Sequence, residues 1–305
     1  MAKFDLASIL FKKQRIAIVT GANIGLGYET ALVLSEKNFK VILACHNLEK
    51  AEAAKASILQ QVAHAEVDVM QLDLSRLQSV RDFTANFTAQ YDQLHLLINN
   101  AGIMMPPYSL TEDGFENQLG TNYLGHFLLT NLLFETLEKT QGARVVSVSS
   151  LAHDWGEIYF EDMQFEQSYD ARKAYGQSKL ACLMFAYEFH KRLRSKRSAT
   201  ISVAAHPGVS YTNLGQHLPK YLQSIGKLIR PLISQSAKDG ALPILRAALD
   251  PKVIPGKYYG PGGFFQLRGE PRRIASNRLS KNVAIASQLW LVSEQLTQMP
   301  FEVKR

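Results

Sequence analysis

The chain has 305 residues, 46% of them hydrophobic and 20% charged, with a formal net charge of +7. A chain of this length and composition buries a sizeable core without staples, which excludes a disordered or disulfide-dense protein, and Cys45 and Cys182 lie too far apart to make a metal or disulfide pattern. No stretch approaches the ~18 consecutive apolar residues of a membrane span, so the expectation is a cytoplasmic protein in a reducing compartment, with no metal and no membrane span.

Residues 1–14 carry a short apolar patch, Leu6 to Phe11, followed by Lys12 and Lys13. A signal peptide has its charges first and a longer apolar core, so this segment is expected to be a short capping helix. Residues 15–19 form a continuous apolar run, read as a buried strand, and the glycine-rich turn 20–27 follows it. A helix is expected over 28–37, a second buried strand over 40–45 and an alanine-rich helix over 48–62. A third strand spans 67–72 and ends at Asp73, and Ser75 is expected to cap a helix running to about Gln90. The fourth strand, 94–98, closes on Asn99, Asn100, Ala101 and Gly102. A largely helical stretch covers 117–139, and the fifth strand, 143–148, ends at Ser149 and Ser150. A long helix covers 174–194, a sixth strand covers 200–205 before His206, Pro207 and Gly208, another helix covers 239–248, and residues 257–259 suggest a short seventh strand.

Strands alternating with helices imply a parallel sheet covered on both faces. No linker or repeat divides the chain, so the fold class expected is α/β: one domain over 15–305, an open doubly wound sheet of about seven strands. Ligands of such sheets bind beyond the carboxyl ends of the strands. The segments at 20–27, 45–46, 73, 99–102, 149–150 and 206–208 all follow a predicted strand, which puts them on one edge.

Gly21, Gly25 and Gly27 suit a turn that approaches a pyrophosphate, and the helix after them offers free N–H groups to an anion; a purely structural turn is the alternative. Asp73 suits either a hydrogen bond to an adenine amino group or a turn and capping role. At the end of the second strand stand Ala44, Cys45, His46 and Asn47, with no carboxylate for a ribose 2′-hydroxyl, which favours NADP(H) over NAD(H). His46 is either a partial cation over a 2′-phosphate or an exposed loop histidine. Tyr175 and Lys179 are one helical turn apart on the same face. An ordinary tyrosine pKa is ~10, and a nearby cation favours the phenolate, so the pair suits acid–base work; an isolated surface pair is the bland alternative. Ser149 or Ser150 could bond a substrate oxygen. The basic run 190–197 reads as a solvated helix end whose cations suit the dipole; a nucleic-acid or membrane-surface patch is the alternative, with no interleaved aromatics to support base stacking.

Taken together, Thr20-Gly21-x-x-x-Gly25-x-Gly27, Asp73, Asn99-Asn100-Ala101-Gly102, Asn122, Ser150, Tyr175-x-x-x-Lys179 and Pro207-Gly208 resemble the short-chain dehydrogenase/reductase family. The chain is most similar to its retinol dehydrogenase and WW-domain oxidoreductase-like branch. Residues 121–127, 148–153 and 174–181 carry that likeness, as do the interval of 25 residues (175 − 150) between Ser150 and Tyr175 and the pair Leu289-Trp290. The resemblance implies a Rossmann-type fold and an NAD(P)(H)-dependent oxidoreductase interconverting an alcohol and a carbonyl. Tyr175 would be the acid–base and Lys179 would lower its pKa and hold the nicotinamide ribose. Ser150 would orient the substrate oxygen, and Asn122 would hold a relay water. Asn23, Ile24 and Leu74 would join Gly21, Gly25, Gly27, His46 and Asp73 around the nucleotide, with Asn100, Ala101 and Gly102 on the adenosine side and Pro207, Gly208, Val209 and Thr212 at the nicotinamide end. The branch often carries arginine where this chain has His46. The resemblance also implies a small-molecule substrate, a homodimer or homotetramer, and a substrate lid over about 210–237, whose apolar residues suit a hydrophobic compound. A non-catalytic cofactor-sensing protein of the same fold is the alternative.

Overall fold

The computed structural model describes residues 4–9, 11, 13–209 and 235–301. The apolar runs become strands β1 (Arg15–Thr20), β2 (Phe39–Cys45), β3 (Glu66–Gln71), β4 (Leu96–Asn99), β5 (Arg144–Val148), β6 (Ile201–Ala205) and β7 (Tyr258–Pro261). They pair in the order β3-β2-β1-β4-β5-β6-β7, all parallel. An eighth strand, β8 (Pro271–Ile274), adds antiparallel to β7 and makes the described sheet one strand larger than expected. Its sequence hides it: it starts at a proline and exposes Arg272 and Arg273, as edge strands do.

The helices are α1 (Gly25–Glu36), α2 (Leu48–Gln61), α3 (Leu77–Gln90), α4 (Asn117–Leu119), α5 (Gly125–Leu132), α6 (Phe134–Lys139), α7 (Ala171–Ser195), α8 (Ala237–Leu249) and α9 (Val283–Thr297). Side chains alternate across the sheet. Ala17 and Val19 of β1 join α1, α2 and α8 in one core, whereas Ile18 joins α3, α5, α7 and α9 in the other. Both faces are therefore covered, which is why the strands read as unbroken apolar runs rather than as alternating ones.

Two local expectations are corrected. The described residues of the 1–14 segment form a turn, closed by Ser8 Oγ donating to the Asp5 carbonyl at 2.9 Å, in place of a capping helix. The segment still caps the core, because Phe4 is buried there and Phe11 meets Phe39 edge-on at 5.3 Å. Ser75 does not cap α3. Its hydroxyl is spent on Asp73, and the helix's free Leu77 N–H donates at 2.8 Å to Asp113 from a distant loop. The C-terminal helix α9, of which only Leu289 and Trp290 were singled out, supplies the largest wholly buried side chain of the described residues, Trp290.

The basic run behaves as a helix end. Lys191 and Arg192 pair with the buried carboxylate of Glu188, and the Arg192 guanidinium lies 4.4 Å above the Trp290 ring. Trp290 also stacks on Phe185 at 5.6 Å and meets Phe127 edge-on at 5.0 Å. One aromatic side chain thus joins α5, α7 and α9. Trp290→Ala is expected to lower unfolding stability by about 3–5 kcal/mol, read as a reduced midpoint in urea; a loss below about 1 kcal/mol would show that α9 is not part of the cooperative core.

Candidate active site

The strand order reverses between β1 and β4, and the first turn of the site leaves β1 there. Gly21 takes φ +65°, which side chains resist, and a Cβ on Gly27 would stand 2.3 Å from the Gly21 carbonyl. That close approach sets the entry angle of α1 and leaves its first N–H groups free. A cleft of about 440 Å³ opens over this turn. It is lined by Gly21, Asn23, Ile24, Gly25 and Gly27, by His46 and Lys50 after β2, by Asp73 and Leu74 after β3, and by Asn100, Ala101 and Gly102 after β4. Lys179 closes one end. The three glycines of the turn leave backbone groups open to the cleft, which fits a dinucleotide held by them. Asp73 both lines the cleft and closes its own turn, since Oδ1 accepts from Ser75 N and Oγ at 3.0 and 2.6 Å.

The remaining candidates stand around this cleft rather than in it. Among the described residues Asn122, Ser150, Tyr175, Pro207, Gly208 and Val209 do not line it. Thr212 and most of the expected lid lie outside the described residues.

Asn122 sits in a π-helical turn, Gly120–Leu124, that interrupts the run from α4 to α5. Such single-turn breaks cluster at functional sites. Its Oδ1 accepts from Ile103 N at 2.8 Å, while Nδ2 donates to the Ile103 carbonyl at 3.0 Å and to Ser178 Oγ at 2.9 Å. Its main-chain carbonyl accepts from His126 Nδ1 at 2.8 Å and from Cys182 Sγ at 3.2 Å. The polar atoms a relay water would use therefore already have protein partners.

The His126 ring is a strut that sequence reasoning missed. A carbonyl can only accept, so Nδ1 carries the proton, and Nε2 accepts from Thr20 Oγ1 at 2.8 Å. Thr20 Oγ1 in turn accepts from Asn100 N and Ala101 N, both at 2.9 Å. This chain of bonds joins the end of β1, the end of β4 and the π turn. Burial pushes the imidazole down to about 4, so it is held neutral. The available signal was the interval from Asn122 to His126, one helical turn.

Tyr175 and Lys179 stand one turn apart on α7, both largely buried, with Nζ 5.9 Å from the centre of the phenol ring. Lys179 Nζ donates to the Val148 carbonyl at 3.4 Å, and a Cβ on Gly102 would sit 3.2 Å from it. The lysine therefore bridges the cleft and the tyrosine. The two serines divide their roles. Ser149 is buried and donates to the Lys179 carbonyl at 2.7 Å, which pins α7 to β5. Ser150 is partly exposed and its Oγ accepts from Ala152 N at 3.2 Å. Beyond β6, His206 accepts from Gly208 N through Nδ1 at 3.1 Å and donates through Nε2 to Gln266 at 3.0 Å. Burial pushes it down to about 3.

The matched family model, short chain dehydrogenase, covers residues 15–222. The chain belongs to the short-chain dehydrogenase family. It is 41% identical to human retinol dehydrogenase 12 over 290 residues, covering 94% of this chain and 88% of that protein. It is 36% identical to human polyprenol dehydrogenase, covering 94% and 86% respectively. A crystal structure of an uncharacterized protein from Mycobacterium paratuberculosis superposes with a TM-score of 0.82 at 38% identity, covering 99% of this chain and 100% of that one. An oxidoreductase of the alcohol–carbonyl type on a Rossmann-like scaffold is the family's common ground, and this chain shares it. No cluster of metal-ligating side chains occurs among the described residues, and none of the described helices is long and apolar enough to cross a membrane.

Burial holds His126 and His206 neutral, so the fold is expected to be acid-sensitive. Both take up a proton more readily when unfolded, near an ordinary pKa of ~6.5, than when folded. The unfolded state then binds more protons over that interval, so stability rises with pH. Urea unfolding is expected to show stability falling steadily from about pH 6.5 towards pH 4, with His126→Asn less stable at neutral pH and flatter in its pH dependence. An unchanged slope in that variant would show that His126 is not held neutral.

Proposed function

We propose that this protein interconverts a hydrophobic alcohol and its carbonyl with NADP(H), with Tyr175 as general acid–base. The reading rests above all on Lys179, which lines the nucleotide cleft at one end and stands 5.9 Å from the Tyr175 ring at the other. A bound nicotinamide supplies or accepts the hydride. In the reducing direction Tyr175 gives its hydroxyl proton to the substrate oxygen as the carbonyl carbon is reduced; in the oxidising direction it takes that proton back. Ser150 holds the same oxygen through its hydroxyl. Lys179 fixes the ribose end of the cofactor and keeps a cation beside the phenol. Asn122 holds the 103 loop and the turn of α7 that carries Ser178 in register with them.

The cofactor preference is supported by the end of β2, where no carboxylate stands, and by two basic side chains, His46 and Lys50, on the rim of the cleft. Lys50 is one turn into α2, whose N-cap is Asn47 accepting from Lys50 N at 2.8 Å. A ribose 2′-phosphate would meet both side chains and the helix N-terminus. The substrate class is supported by relatives named for retinol and polyprenol, two isoprenoid alcohols.

Reduction of retinal and of smaller aldehydes, followed by loss of nicotinamide absorbance, tests the reading. Tyr175→Phe is expected to lower kcat/KM by roughly 10²–10⁴-fold while leaving NADP(H) affinity nearly unchanged. Equal turnover in both proteins would remove Tyr175 as the catalyst, and tight cofactor binding without turnover on any substrate would favour a cofactor-sensing protein.

The cofactor assignment has a separate test. NADPH is expected to outperform NADH, and His46→Asp with Lys50→Glu to invert the order, each lost or reversed charge costing about fivefold to tenfold. A double variant that keeps its NADPH preference would place the selection elsewhere.

A further inference from the structure

The hairpin that joins β7 to β8 carries two adjacent phenylalanines at its tip. Phe264 is 80% exposed and Phe265 72%, more than any other large hydrophobic among the described residues. Their rings contact each other at 4.2 Å. The backbone beneath them is left-handed at two side-chain-bearing residues in succession, Phe265 at φ +48° and Gln266 at +58°. Bulky residues avoid this region, and such strain persists where the surrounding structure imposes it.

The inner side of the hairpin shows what imposes it. Gln266 Oε1 accepts from buried His206, and the Leu267 carbonyl accepts from Val209 N at 2.8 Å. Gly269 N donates at 3.3 Å to Gln235, which in turn donates to the Pro207 carbonyl at 2.7 Å. The loop after β6 therefore grips the hairpin from within, and the aromatic pair is held outward. Arg268, three residues beyond the pair, is exposed, Arg272 stands opposite Gly260, and Glu270 is the single acid between β7 and the end of β8. Arg272 donates to the Gly262 carbonyl at the root of the hairpin.

We propose that this hairpin seats the protein on an anionic lipid surface, with Phe264 and Phe265 inserted at the level of the headgroups and Arg268 paired with a lipid phosphate or carboxylate. The exposed area favours lipid over a second copy of the chain. A stable protein interface needs ~800 Å² on each side, whereas two phenylalanines bury at most about 500 Å². An amphipathic element with apolar rings and a cationic flank is what lies in a membrane interface. The loop it is tied to, residues 206–209, follows β6 on the edge of the sheet that carries the cofactor cleft. Docking there sets the opening of the site against the phase in which a hydrophobic alcohol dissolves.

The proposal needs no turnover, and its test uses none. The full-length protein is sedimented with phosphatidylcholine vesicles, alone and with a third of the lipid replaced by phosphatidylserine, at low and high salt. Binding to the anionic vesicles is expected, weakened roughly tenfold or more by Phe264→Ser with Phe265→Ser and about fivefold or more by Arg268→Glu. The thermal midpoint should stay unchanged in both variants, because all three side chains are solvent-exposed. No binding by the wild-type protein, or equal binding by the phenylalanine variant, would overturn the proposal. So would sedimentation velocity showing a dimer that the double variant abolishes, which would assign the pair to a second copy.

Discussion

The His126 imidazole ties together three segments that are far apart in sequence: the end of β1 through Thr20, the end of β4 through the two amides that Thr20 collects, and the π turn through the Asn122 carbonyl. Each bond fixes the sense of the next. The carbonyl forces the proton onto Nδ1, which leaves Nε2 to accept from the threonine hydroxyl, which then has its lone pairs free for Asn100 and Ala101. Burial of the ring supplies the remaining condition, that it carry no charge. The separation between the end of β1 and the π turn is therefore set by one neutral imidazole.

The other half of the site is set by close packing. A Cβ on Gly156 would stand 2.3 Å from the Gly176 carbonyl, so α7 lies directly on the loop that follows Ser150. Ser149 bonds the Lys179 carbonyl on the same helix. Tyr175 and Lys179 are thereby held on a rigid element from two sides. Asn122 belongs to both halves, since its Nδ2 donates to Ser178 of α7 while its carbonyl accepts from His126 Nδ1.

The parallel sheet, its edge of ligand-facing turns and the cleft residues from Gly21 to Gly102 were legible because each depends on local pattern: apolar runs for buried strands, glycines where the backbone must approach closely. Lys179 was legible through its interval from Tyr175. The parts that were not legible depend on contacts across the fold. β8 begins at Pro271 and exposes arginines, so nothing in its composition reads as a strand. The cap of α3 is Asp113, some 36 residues away, while Ser75 offered a local signal that Asp73 had already claimed. The interval from Asn122 to His126 was visible, but the partner that makes the ring a strut, Thr20, lies 106 residues earlier. Lys50 reads as an ordinary exposed residue of a charged helix face until β2 brings its first turn to the rim of the cleft.

His206 repeats on the far side of the sheet the device that His126 uses near its middle. It too is buried, neutral and bonded through both ring nitrogens, and it too holds a loop that leaves a strand end. One imidazole fixes the cofactor side of the edge and the other fixes the side from which the 206–209 loop and the β7–β8 hairpin project. Neutral histidines suit this task because each ring supplies one donor and one acceptor without adding a charge. The chain's excess of cations can then stay at the periphery, at His46 and Lys50 on the rim, along the end of α7 and on the hairpin, where solvent reduces the cost of holding them and anionic partners can reach them.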